Sequence, residues 1–178
     1  SNVAVGANTL DANTTAHNNT AVGYDALTTN TTGASNTALG QGALELNTTA
    51  SNNTAVGKDA LTANTTGTKN VCIGFGAGDA ITTGSNNTII GDFAGTTTLA
   101  DTIVLASGTT ERMRIDSTGN VGIGTSSPIY TSATRTTTTI NGTASANLSF
   151  GVNGTGYGNI YADSASFELG STTNSNPV

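Results

Sequence analysis

Eleven carboxylates, one histidine, one cysteine and five basic side chains are the groups here best suited to acid–base, nucleophilic or metal chemistry. The acids are Asp11, Asp25, Glu45, Asp59, Asp79, Asp92, Asp101, Glu111, Asp116, Asp163 and Glu168. Cleavage of a polysaccharide needs two carboxyls facing each other across one glycosidic bond. Scattered acids do not build that pair, and they read as solvated turn residues. His17 stands alone, short of the three or four donors of a catalytic or structural metal site. Gly74-Phe-Gly-Ala-Gly78-Asp79 has the look of a phosphate-cradling loop but lacks the Lys-Ser/Thr that grips phosphate and metal. Cys72 has no partner for an intrachain disulfide, and its place in the chain pattern is held elsewhere by alanine, so it reads as a small buried side chain. No catalytic, cofactor-binding or metal-binding set is assembled, and no cofactor is implied. Two groups of residues suit a glycan instead: the cations Arg112 and Arg114, and the aromatics Tyr157 and Tyr161. Each has a plainer reading, as ion pairs or as shaft core.

The elements that would position these residues follow a strict period. Gly6, Gly23, Gly40, Gly57, Gly74 and Gly91 stand 17 residues apart. Four residues before each stands Asn2, Asn19, Asn36, Asn53, Asn70 or Asn87. The residue before each glycine is aliphatic: Val5, Val22, Leu39, Val56, Ile73 and Ile90. A fixed period of this length marks stacked coils. Each coil reads as two short β-like segments joined by polar turns, the second segment carrying pairs such as Ala26-Leu27 and Ala43-Leu44. Stacking at ~4.8 Å would superpose like residues. The asparagines would form an amide ladder, the aliphatics a continuous apolar ladder, and the glycines corners at positive φ. In a segment such as Thr54-Ala55-Val56, the first and third residues face one side and the alanine faces the other.

Residues 1–100 form this repeat domain. Residues 101–128 read as a β-meander neck: Asp101–Ala106, Glu111–Ile115 and Val121–Gly124 are strands separated by turns. Met113 and Ile115 share one face of the middle strand, Arg112 and Arg114 the other. Residues 129–178 lack the period and form a β-rich distal shaft or tip, with strand signals at Arg135–Ile140, Ala146–Val152, Tyr157–Ala162 and Ser166–Leu169. The chain has no initiating Met, stops at Pro177-Val178 and reads as a piece of something longer.

Composition limits the function classes. Charged residues are 9% and aromatics 4%, with a net charge of −6. That balance disfavours nucleic acid, which is bound through Lys and Arg. No stretch approaches the ~20 apolar residues of a membrane span. Thr, Asn and Gly disfavour helix, so the chain is expected to be all-β. Each coil supplies about three aliphatic side chains to offset the ordering of a whole turn of backbone. Self-association is therefore expected, through the flat face made by Ala4, Ala21, Ala38 and Ala55.

These residues carry a resemblance. The coils resemble the YadA-like head repeats of trimeric autotransporter adhesins, although the repeat here is longer in its Asn-Thr-Thr turn. The stretch TIVLASGTTERMRIDSTGNVGIGTSSP at 102–128, and FGVNGTGYGNIYADSASFELGS at 150–171, resemble phage tail-fibre proteins. The resemblance implies a left-handed parallel β-roll in a homotrimer, on a virion or cell surface. It also implies other fibre or virion proteins and a host glycan or protein receptor as partners. A bacterial surface adhesin head is the close alternative. A Thr-rich ice-binding solenoid and a glycan depolymerase are the others.

Overall fold

A computed structural model describes residues 1–128 and the strands at 138–140, 145–152, 155–163 and 167–170. Among the described residues there is no helix, and the fold is a parallel β-solenoid of about six turns. One three-residue strand marks each coil: β1 (Val3–Val5), β2 (Thr20–Val22), β3 (Thr37–Leu39), β4 (Thr54–Val56), β5 (Val71–Ile73) and β6 (Thr88–Ile90). Each pairs in parallel with the next at a shift of 17, as in Val5↔Val22 and Val56↔Ile73. The period seen in the sequence is therefore the rung of the stack.

The repeated glycine makes the corner that follows each strand. These six glycines have φ between 112° and 142°. A Cβ on Gly23 would lie 2.5 Å from the carbonyl oxygen of Gly40 on the next rung. Both the backbone angle and the close approach exclude a side chain.

The second segment of each coil is not a strand. Residues after the corner form turns, and Leu10, Leu27, Leu44 and Leu61 have φ of 52–54°. Left-handed backbone is unfavourable for a bulky residue. It is held here because it drops the leucine into the coil interior, where Leu27, Leu44 and Leu61 are fully buried.

The two faces of each strand are reversed relative to the expectation from sequence. Ala21, Ala38, Ala55, Cys72, Ile89 and Val104 point inward and are fully buried. The column Val5, Val22, Leu39, Val56, Ile73 and Ile90 is continuous, but it lies on the outside of the coil. Apart from Ala4 on the first rung, which is exposed, the alanine face is thus core and is not available for association. The reason is width. A coil lumen already holding a leucine from the opposite wall has room on the strand side only for a small residue.

Inside, volume is exchanged between walls along the stack. Coils with Ala on the strand carry Leu opposite. Where Cys72 replaces the alanine, Gly78 replaces the leucine, and Ile81 fills the space beside it. A Cβ on Gly78 would lie 2.7 Å from Cys72 Sγ and 3.4 Å from Ile81 Cδ1. Gly95 holds the leucine place of the next coil, where a Cβ would lie 3.0 Å from Ile81 Cγ1 and 3.4 Å from Leu99 Cδ2.

Two asparagine ladders run through the stack. In the first, each Oδ1 accepts the backbone N–H at the same position of the next rung, at 2.9–3.2 Å from Asn2 to Thr102. Each Nδ2 donates to a carbonyl in its own coil, as from Asn36 to Ala50 O at 2.9 Å. The second ladder belongs to the Asn-Thr-Thr triplets. Asn47 Nδ2 donates to Asn30 Oδ1 at 2.8 Å, and Asn64 Nδ2 to Asn47 Oδ1 at 3.0 Å. Both ladders meet at one carbonyl per coil: Gly33 O accepts from Asn19 and from Asn30. A true amide-to-amide ladder therefore lies mainly in the second series. It ends where Ile81 takes the next place, leaving Asn64 Oδ1 buried and unpaired.

The stack does not stop at residue 100. β7 (Ile103–Ser107) pairs in parallel with β6 at a shift of 15, Thr88↔Ile103, so the last turn is two residues shorter. β7 is also the first strand of the antiparallel meander with β8 (Thr110–Ile115) and β9 (Val121–Ile123). The meander thus grows directly from the final rung. β10 (Thr138–Ile140) pairs in parallel with β9. β11 (Ser145–Val152), β12 (Thr155–Asp163) and β13 (Phe167–Gly170) form a separate antiparallel sheet, where the strand signals lay.

Candidate functional site

Pleating places two columns on the outer face of the large sheet. One is Val5, Val22, Leu39, Val56, Ile73 and Ile90, which the register continues through Leu105, Met113 and Ile123. Beside it run Val3, Thr20, Thr37, Thr54, Val71, Thr88, Ile103, Ile115 and Val121. The result is a ribbon spanning nine strands, apolar along the first column and made of threonine and aliphatic residues along the second. Val5 is 57% exposed, Leu39 47%, Ile90 45% and Ile123 42%. No charged side chain stands in either column. Contiguous apolar surface of this extent is a mark of an interaction face. Met113 and Ile115 do share a face, and that face is the ribbon.

Arg112 and Arg114 part company. Arg112 stays exposed. Arg114, paired with the buried Val104, turns inward over the last rung. Its Nε and Nη2 each donate to a Glu111 carboxylate oxygen at 2.8 Å, and its guanidinium lies 5.9 Å from the Phe93 ring centroid. Only 13% of the Arg114 side chain is exposed. This group closes the end of the solenoid core, and a glycan would find only Arg112. Tyr157 and Tyr161 fall on β12, and their side chains lie outside the described residues.

A second surface column lies just round the glycine corner: Ala7, Tyr24, Gln41, Lys58 and Phe75. The backbone stacks it rung on rung, with Gly42 N–H donating to Tyr24 O, Asp59 N–H to Gln41 O and Gly76 N–H to Lys58 O. Tyr24 is 52% and Phe75 60% exposed. Lys58 pairs with Asp59 and sits 5.5 Å above the Phe75 ring. Sequence reasoning missed this column. The signal that finds it is the variety of residue types at one position of an otherwise uniform repeat.

Asp25 and Asp59 stack in one column, two rungs apart. Burial raises the Asp79 pKa, and the charges of Asp92 and Asp59 add to the rise. Among the described residues no group of three or more His, Cys, Asp or Glu is placed to hold a metal ion. His17 is exposed. Burial pushes the Cys72 thiol up to about 12, so it is not a nucleophile at neutral pH. The glycine-rich 74–79 stretch is ordinary rung and turn. Burial acts to raise Asp116, but hydrogen bonds from Asn120 and Thr118 outweigh it and hold its pKa below the usual aspartate value. Asp116 thereby ties the β8–β9 turn.

Among the described residues no helix is long and apolar enough to cross a membrane. No family model, no curated protein and no solved structure matches this chain.

Proposed function

We propose that this chain is a stiff segment of a homotrimeric fibre of the phage tail-fibre type, projecting from a particle and contributing to host-surface attachment. In this reading three left-handed β-rolls pack side by side, and the neck and distal β-rich segment continue the shaft. Other fibre proteins and a host glycan or protein receptor are its partners.

The outer ribbon is the observation that carries the proposal. One apolar column, uninterrupted from β1 to β9 and flanked by a second column of Thr, Val and Ile, is a long lateral contact and not a pocket. Every rung places an apolar residue in the first column and a β-branched residue in the second, so an identical neighbour in register meets similar chemistry at each level. Fully burying a Val, Leu or Ile contributes about 1.5–3 kcal/mol, and these side chains are all partly exposed in the single coil. The association expected from the sparse core is retained, and its face moves from alanine to the aliphatic ribbon.

The ice-binding reading is weakened by the threonines. The first of each pair donates its hydroxyl along the stack, as Thr31 to Thr48 O at 3.0 Å and Thr65 to Thr82 O at 3.0 Å. Those hydroxyls are engaged within the fold. The resemblance of the repeat, neck and distal stretches to adhesin heads and tail fibres points the same way as the ribbon.

Leu39→Asp and Ile73→Asp test the proposal. Both positions face outward, so each variant keeps its rungs. The variants are expected to fall from a trimer to the 17.5 kDa protomer, and electron micrographs of the unaltered chain should show slender rods. An unchanged mass in both variants, or compact globules in the images, would count against it.

A further inference from the structure

We propose that the exposed column Tyr24, Gln41, Lys58 and Phe75 is a binding ledge for a neutral oligosaccharide. The inference rests on the attachment reading above and gives that attachment a place and a ligand class.

Three features of the column carry it. First, the fold does not require these residues: the position holds Ala7, Tyr24, Gln41, Lys58, Phe75 and Asp92 in successive coils, while the ladders and corner glycines barely change. Second, it concentrates recognition chemistry. Tyr24, Phe75 and Phe93 are the aromatics of residues 1–100; Phe93 packs against the core, and the other two stand exposed in this column. Tyr24 and Phe75 are three rungs apart, about 14 Å. Between them the Gln41 amide and the Lys58–Asp59 pair follow one rung at a time. A hexopyranose chain lying along the column would present one ring to each rung. Its C–H faces would stack on the two aromatic rings, and its hydroxyls would meet the amide, ammonium and carboxylate between them. Third, the surroundings select against charge. Asp25, Asp59 and Asp92 flank the column and outnumber Lys58, so a polyanionic glycan is repelled and a neutral one is not.

The ledge begins at the residue after the corner glycine that ends each ribbon strand. Three copies would offer three parallel ledges and bind a polymeric surface with avidity.

The test is calorimetric titration of the purified chain with maltohexaose, cellohexaose, mannohexaose and chitohexaose, and with an oligogalacturonate as the acidic comparison. At least one neutral probe should bind. Tyr24→Ala and Phe75→Ala should each weaken it about tenfold or more, as loss of an aromatic anchor does, while the solution mass stays that of the unaltered chain. Failure of all the neutral probes, binding of the acidic probe alone, or unchanged affinity in both variants overturns the ledge. A fall in mass on either substitution also overturns it, because the aromatics are then contacts between copies. A monomeric unaltered chain that still binds sugar would sink the fibre reading and leave the ledge standing.

Discussion

The asparagines are where single residues matter most. Asn53 is fully buried; its Oδ1 accepts the Asn70 N–H at 2.9 Å and its Nδ2 donates to Gly67 O at 2.8 Å. Truncation leaves the Asn70 N–H without a partner in a dry interior, while Gly67 O keeps its bond from Asn64 Nδ2 at 3.0 Å. Asn53→Ala should therefore cost about 1–3 kcal/mol in a urea titration. Thr66→Ala, at an exposed position on the same coil, should stay within about 0.5 kcal/mol. Equal costs would refute the ladder as a source of stability. The neck offers a pH prediction. The Asp116 pKa is lowered on folding, so the folded state binds fewer protons there than the unfolded chain. Its contribution is present above the ordinary value of 3.8 and is lost as pH falls below it. Asp116→Asn should remove that part of the acid dependence, monitored by amide exchange in the turn. The asparagine spacing was legible in the sequence, but the partner of each amide was not. A column of identical residues does not say whether its side chains bond to one another or to the backbone of the next rung.

Along each element, the strand–turn division and the inside–outside assignment were the hard parts. A segment of three residues, such as Thr54-Ala55-Val56, alternates in either sense. Hydrophobicity alone favours Val inward, and the narrow lumen decides for Ala. The leucine segment looked β-like because nothing local marks a leucine for left-handed backbone. The exchange of volume between walls gives the sharpest test at this scale. Gly78→Leu places a side chain against Cys72 and Ile81 and should lose about 1–3 kcal/mol, the usual cost of overpacking. The triple change Cys72→Ala, Gly78→Leu and Ile81→Asn rebuilds the pattern of the earlier coils and restores a partner for Asn64 Oδ1. It should recover most of the loss in thermal melts. If the triple variant melts no higher than Gly78→Leu, the compensation argument is wrong.

At the largest scale, residues 1–107 are a column of rungs whose interior is packed and largely hydrogen-bonded and whose long outer face lies open. The 17-residue period alone foretold the stack, the corners and the order of strands. It could not foretell that β7 joins the stack, because the last turn drops two residues and leaves the period. Nor could it show Arg114 turned inward, since that depends on β8 folding back across the final rung. The central claim is that the aliphatic ribbon is covered by identical neighbours. Multi-angle light scattering of the unaltered chain at micromolar concentration tests it most directly. The account predicts a particle of three times the 17.5 kDa protomer mass. A folded particle of 17.5 kDa, stable on dilution with its ribbon open to water, would contradict it.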